Sequence, residues 1–126
     1  MISIIIPTYN NLELFKRAYN SVISQDEKDV EVIVVDDSST NDIQNYCLNL
    51  PVRYHHNSPA LGAVKNWNSG LKLAKGEFII LMHHDEALKN ENFISSLLHC
   101  FKNGYDVVVS NIEVHLGNSL RKGLCP

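Results

Sequence analysis

The chain has 126 residues, 44% hydrophobic and 20% charged, enough for one globular domain with a real core. Its 11 Lys and Arg are scattered among 14 Asp and Glu, and the net charge of -3 argues against a nucleic-acid partner. No apolar stretch approaches the roughly 20 residues of a membrane span, and the opening run has no basic flank of a signal peptide.

Residues 2–6 read as a first β-strand, closed by Pro7. Asn10 is the expected N-cap of a helix over 11–24, where Leu14, Phe15, Ala18, Val22 and Ile23 recur at helical spacing. A second apolar run, 31–35, ends in Asp36-Asp37-Ser38-Ser39, and a polar helix over about 40–49 stops at Pro51. Residues 52–56 read as a short strand, and Gly62 precedes a helix over about 63–74 with Gly76 as its C-cap. Residues 77–82 form a further buried strand that ends abruptly in His83-His84-Asp85-Glu86. A helix capped by Asn90 or Asn92 carries Phe93, Ile94, Leu97, Leu98 and Phe101, and 106–110 reads as another buried strand. Beyond it, Gly117-Asn118 signals a turn that folds Leu120 and Leu124 back as a hairpin. Three widely spaced cysteines, Cys47, Cys100 and Cys125, fit neither a disulfide framework nor a zinc site. They read as buried or incidental thiols in a reducing cytoplasm. Strands alternating with helices predict an α/β fold, a mostly parallel sheet covered on both faces.

In such a sheet ligands bind at the carboxyl ends of the strands, so the two acidic tips mark a cleft. Asp36 and Asp37 read either as helix N-caps or as acceptors for a nucleobase ring N–H and a ribose hydroxyl; their adjacency demands compensating donors. The His83 to Glu86 cluster reads either as solvated loop or as the seat of a divalent cation, held mainly by Asp85 with a neighbouring His. Oxygen ligands suit magnesium or manganese, imidazole tilts the choice to manganese, and zinc lacks its remaining ligands. Tyr9 is a core or rim aromatic, or stacks on a base with Pro7 beside it. Lys65 is a solvated helix lysine or a phosphate contact, and Trp67, the only Trp, is a core residue on the commoner reading. His55, His56, His99 and His115 have no assigned role.

Read together, Ile4-Ile5-Ile6-Pro7-Thr8-Tyr9-Asn10, Val34-Val35-Asp36-Asp37-Ser38-Ser39, Asn68-Ser69-Gly70, Ala74-Lys75-Gly76-Glu77-Phe78-Ile79 and the acidic cluster resemble the family-two glycosyltransferases. The resemblance runs over nearly the whole chain. It implies the GT-A fold, Rossmann-like, with residues 1–126 as a single nucleotide-sugar-binding domain. It further implies transfer from a nucleotide-diphospho-sugar, UDP first, to a glycan or lipid-linked acceptor in surface polysaccharide synthesis, with inversion. By the same resemblance Pro7 and Tyr9 flank the base, Asp37 accepts from its ring N–H, and Asp36 lies near base and ribose. Asp85 holds the metal on the diphosphate, with His83 as a second ligand, and His84 borders the nucleotide-sugar site. His83 stands where the family's DxD motif carries its first acid, and Trp67 stands where many members carry an Arg. The general base is expected outside this chain, which reads as truncated before the acceptor-binding part and as weakly active or inactive alone. A cytoplasmic setting fits, and so does peripheral association of the full-length enzyme with the inner membrane face; the oligomeric state is open. The alternatives are a non-catalytic nucleotide-sugar-binding remnant and a receiver-type signalling domain. The latter needs an Asp ending a third strand, and none ends residues 52–56 here. A dinucleotide oxidoreductase is disfavoured because no Gly-x-Gly-x-x-Gly follows the first strand.

Overall fold

In a computed structural model of the chain, residues 1–117 and 119–123 are described, the last five and Leu116 by backbone only. The chain divides into two compact units, residues 1–93 and 94–126.

In the first unit, strands β1 (Ile2–Thr8), β2 (Val30–Asp36), β3 (Arg53–His56) and β4 (Phe78–Leu81) alternate with helices α1 (Leu12–Ile23), α2 (Asp42–Cys47) and α3 (Ala63–Leu73). The strands form one parallel sheet in the order β3-β2-β1-β4, so the chain reverses its direction of growth between β1 and β4. The expected α/β, GT-A-like architecture is therefore present. Every residue of β1 is buried, as a central strand covered on both faces requires. Ile5, Ile33 and Val35 form a cluster under Leu73 and Ala74, on the face that α3 covers. Gly70 lets α3 sit that close, because a Cβ there would meet Ile5 Cγ2 at 2.4 Å.

Several local expectations are corrected. Pro7 does not close the first strand but lies within it, paired with Val35. It is tolerated because the ladder to β4 has already ended at Ile5, whose carbonyl accepts from Met82 N at 2.9 Å. The N-cap of α1 is Asn11, which accepts from Leu14 N at 3.0 Å. Asn10 instead takes a left-handed turn conformation, φ 55°, and its Oδ1 accepts from Ser39 N at 2.8 Å. Gly76 is no C-cap: α3 ends at an extended Ala74, and Gly76 passes so close to β1 that a Cβ would sit 2.6 Å from Ser3 N. The strand at 77–82 is an edge of the sheet rather than buried, with Ile79 43% exposed.

The second unit carries α4 (Phe93–Lys102), which begins at the boundary, and the antiparallel hairpin β5 (Ile112–Leu116) with β6 (Ser119–Gly123). Gly117, φ 57°, makes the expected turn; Asn118, Leu124 and Cys125 lie outside the described residues. The buried strand expected at 106–110 is absent, and Val107 is 77% exposed. An apolar run becomes a strand only when a neighbour pairs its N–H and C=O groups, and a sequence pattern does not supply that neighbour.

Candidate functional site

The carboxyl ends of β1, β2 and β4 meet the first turn of α3 around a cleft of about 390 Å³. Its lining includes Pro7 near the end of β1 and Tyr9 just after it, Asp37 after β2, Gly62, Asn66 and Trp67 around α3, and His83 and His84 after β4. The position beside the point where strand order reverses is where ligands of parallel α/β sheets bind, and the volume lies within the ~300–1,000 Å³ of small-molecule sites.

The two adjacent carboxylates are compensated by hydrogen-bond donors, not by cations. Asp36, fully buried, accepts through Oδ1 from Thr8 Oγ1 at 2.8 Å, from Ser38 N at 2.9 Å and from the Ser38 hydroxyl. Its Oδ2 accepts from Tyr54 Oη at 2.6 Å. The protein supplies this carboxylate with four donors, three on Oδ1 and one on Oδ2, and the group is fully buried and outside the lining of the cleft. Burial first, and then the bond to Asp36, push the Tyr54 hydroxyl well above its ordinary pKa. Burial, and behind it the Asp36 charge, raise the Cys47 thiol to about 12.

Asp37 is used differently. Its Oδ1 accepts from Asn57 Nδ2 at 2.9 Å and Leu61 N at 3.0 Å, and Oδ2 from Gly62 N at 2.9 Å. One acceptor direction on Oδ2 is left, on a residue that lines the cleft. Neither aspartate caps the helix that follows, since the N-cap of α2 is Asn41. Asp37 instead stands at the N-terminus of α3, where the helix dipole favours an anion. Gly62, φ 85°, lets the chain turn there and present its N–H to the carboxylate.

Sequence reasoning passed over Asn57 and Asn66. Asn57 donates to Asn66 Oδ1 at 2.8 Å, and Asn66 Nδ2 donates to Val35 O at 2.9 Å, tying the cleft wall to β2. The signal was a polar side chain on the face of α3 that also carries Gly70. His56, given no role, has its Nε2 2.9 Å from Ser38 O and steadies the same loop.

Of the predicted residues, Pro7, Tyr9, Asp37, His83 and His84 come together at the cleft. Tyr9 is a rim aromatic, 58% exposed. His84 Nδ1 lies 3.3 Å from Pro7 O, bridging the tips of β4 and β1. Trp67 is not core: it lines the cleft with its ring edge-on to His83, centroids 4.7 Å apart. Asp36 lies beneath the cleft, and Lys65, exposed on α3, is not among the lining residues. Asp85 is exposed on the loop beside His83, also outside the lining. Glu86 is occupied, its Oε2 accepting from His83 N at 2.8 Å.

Among the described residues no three His, Cys, Asp or Glu side chains gather as a metal cage. His83 and Asp85 offer one imidazole and one carboxylate. Magnesium and manganese commonly take one or two protein ligands and complete their shell with phosphate oxygens and water. The donor set therefore suits a cation that arrives with a diphosphate, rather than a closed structural site.

Comparison with known proteins shows the family and the fold. The family model described as Glycosyl transferase family 2 matches residues 3–125. The chain is 33% identical over 127 aligned residues to GalNAc(5)-diNAcBac-PP-undecaprenol beta-1,3-glucosyltransferase of Campylobacter jejuni, covering 96% of this chain and 41% of that protein. Among solved structures it resembles residues 1–349 of S. aureus TarS in complex with UDP-GlcNAc, with TM-score 0.71 and 28% identity over 94% of this chain and 41% of that one. A mannosyltransferase of Pyrobaculum calidifontis, solved with GDP-Man and Mn2+, shares the fold at TM-score 0.69 and 22% identity, over 77% of this chain and 31% of its own. The chain spans about two fifths of the length of that Campylobacter protein and of curated glycosyltransferases from Mycoplasma genitalium and Streptococcus pneumoniae that it also matches.

Proposed function

Because the chain belongs to glycosyl transferase family 2, we propose that it forms the donor-binding domain of an enzyme moving a sugar from a nucleotide-diphospho-sugar to a glycan or lipid-linked acceptor. UDP is the nucleotide in this reading, and transfer inverts the anomeric carbon. The observation that carries it is the remaining acceptor direction of Asp37, at the floor of a cleft built where parallel sheets bind ligands. That oxygen accepts the ring N–H of the base. The Tyr9 ring and Pro7 flank the base, and the Gly62 turn, with no Cβ, leaves room beside it.

The diphosphate then extends toward the tip of β4. Asp85 and His83 hold a divalent cation there, manganese or magnesium, which when bound supplies Lewis-acid stabilisation of the leaving diphosphate. His84 borders the donor, and Asp36 acts from below by holding the loop that carries Asp37. The name of the Campylobacter relative, a lipid-linked saccharide glucosyltransferase, supports a lipid-linked acceptor of the surface-polysaccharide type. Such an acceptor draws the full-length enzyme to the cytoplasmic membrane face; among the described residues no helix is long and apolar enough to cross it.

Calorimetric titration of UDP, GDP and dTDP, each with and without Mn2+, tests this. UDP should bind most tightly, and more tightly with Mn2+. In Asp37→Asn an amide N–H₂ replaces Oδ2 or Oδ1, so affinity should fall by about tenfold or more, the worth of one charge-assisted hydrogen bond. Equal UDP affinity in wild type and Asp37→Asn would overturn the assignment.

A further inference from the structure

We propose that Trp67 is a positioning residue that holds the His83 imidazole in the orientation needed for a divalent cation bound with the donor diphosphate. This rests on the function proposed above but assigns a role that no motif of the chain predicts.

The argument starts from how His83 is held. Its backbone is fixed at both groups: His83 N donates to Glu86 Oε2 at 2.8 Å, and Glu86 N donates to His83 O at 3.0 Å. One residue earlier, Met82 N is tied to Ile5 O at 2.9 Å. The ring is another matter. Among the described residues no hydrogen bond reaches either ring nitrogen, whereas metal-binding histidines are usually oriented by a hydrogen bond to the second nitrogen. What touches the His83 ring is the Trp67 indole, at 4.7 Å between centroids and 67° between planes. Edge-to-face contacts of this kind have a preferred geometry and restrict rotation about the side-chain bonds.

Trp67 is itself placed on a seated element. Its neighbour Asn66 is bonded to Val35 O and to Asn57, and one turn on, Gly70 lies against Ile5 and Val35. The indole is thus a fixed wall, and the imidazole stands ordered before any cation arrives. Without that wall, the ring must be immobilised at the moment of binding, which costs side-chain entropy. Trp67 needs no contact with the cation to exert this effect.

The readout is the metal increment, the ratio of UDP affinities with and without Mn2+, measured calorimetrically on the whole chain. Trp67→Ala should shrink the increment about two- to tenfold, the worth of an aromatic pair. Trp67→Phe, which keeps an aromatic edge, should retain most of it. Trp67→Ala together with His83→Ala should lose no more than His83→Ala alone. As Trp67 is the only Trp, its indole N–H resonance in wild type should broaden selectively when Mn2+ is added with UDP, and His83→Ala should weaken this at subsaturating Mn2+. An unchanged increment in Trp67→Ala or in His83→Ala, additive losses in the double variant, or no selective broadening would each overturn the proposal while leaving the nucleotide site intact. If the wild-type chain bound no UDP at all, the proposed function itself would fail.

Discussion

Asp36→Ala separates a scaffold from a ligand contact. The substitution deletes an acceptor for four donors: Thr8 Oγ1, Ser38 N, Ser38 Oγ and Tyr54 Oη. Hydrogen bonds to a charged group contribute ~1.5–3 kcal/mol each, so a naive sum exceeds about 6 kcal/mol. Two effects reduce it. Removing a fully buried carboxylate returns its desolvation cost of several kcal/mol, and the Ser38 and Thr8 hydroxyls can rotate to other acceptors. The Ser38 N–H cannot rotate, and Tyr54 loses its anchor. A net destabilisation of about 3–5 kcal/mol follows, comparable to breaking a buried ion pair and a large share of the ~5–15 kcal/mol typical of a domain. Asp36→Asn keeps one oxygen toward Ser38 and should cost about 1–2 kcal/mol. Tyr54→Phe should cost less in the Asp36→Ala background than in wild type, because the partner has already gone. Urea unfolding of the four variants at neutral pH gives all of these values. Should Asp36→Ala cost less than about 1 kcal/mol yet abolish UDP binding, the residue would be a direct nucleotide ligand and the reasoning would be wrong.

Gly76→Ala should be the more damaging of two glycine changes, because its Cβ meets backbone atoms, Ser3 N at 2.6 Å and Ile2 C at 2.9 Å. A loss of about 3 kcal/mol by thermal or urea unfolding is expected, against a smaller loss for Gly70→Ala, where helix propensity partly offsets overpacking. Glu31 makes part of acid stability. Burial raises its pKa, but bonds from Ser3, Lys75 N and Arg53 together outweigh burial, and the carboxyl lies below its ordinary value. A depressed folded-state pKa contributes stability that is present above the unfolded value and lost as pH falls through the folded one. Unfolding midpoints between about pH 6 and pH 3 should therefore fall less steeply in Glu31→Gln than in wild type; parallel curves would exclude the network. Lys65→Ala should leave UDP affinity within about twofold, since a solvated surface lysine adds little. A tenfold loss would place Lys65 on the phosphates after all.

Much of the site was legible because chemistry concentrated at strand tips. Pro7, Tyr9, Asp37 and His83 stand where apolar runs give way to polar residues, and a parallel sheet puts such points at one end. The split between Asp36 and Asp37 was not legible. Both stand at the tip of the same strand, and only the direction of each carboxylate decides which one is buried among protein donors and which one faces the cleft. Trp67 misled for a similar reason: an aromatic on an amphipathic helix is usually core, and here that helix overhangs the cleft. Asn57 and Asn66 are ordinary loop and helix residues until the fold brings them within 2.8 Å of each other.

Local pattern settled the order of strands and helices as far as α4, because apolar runs and helical stripes are properties of neighbouring residues. It also settled the hairpin turn at Gly117, where positive φ favours glycine. Pairing belongs to tertiary structure. Three valines at 107–109 remain outside any sheet, Pro7 lies within a strand, and β4 is an edge, since each outcome depends on which backbone lies alongside. The residues that meet at the cleft are up to 77 positions apart, as in the approach of His84 to Pro7. Composition and local pattern hold no record of such distances; the pairing of β4 with β1 and the packing of α3 on β1 and β2 create them.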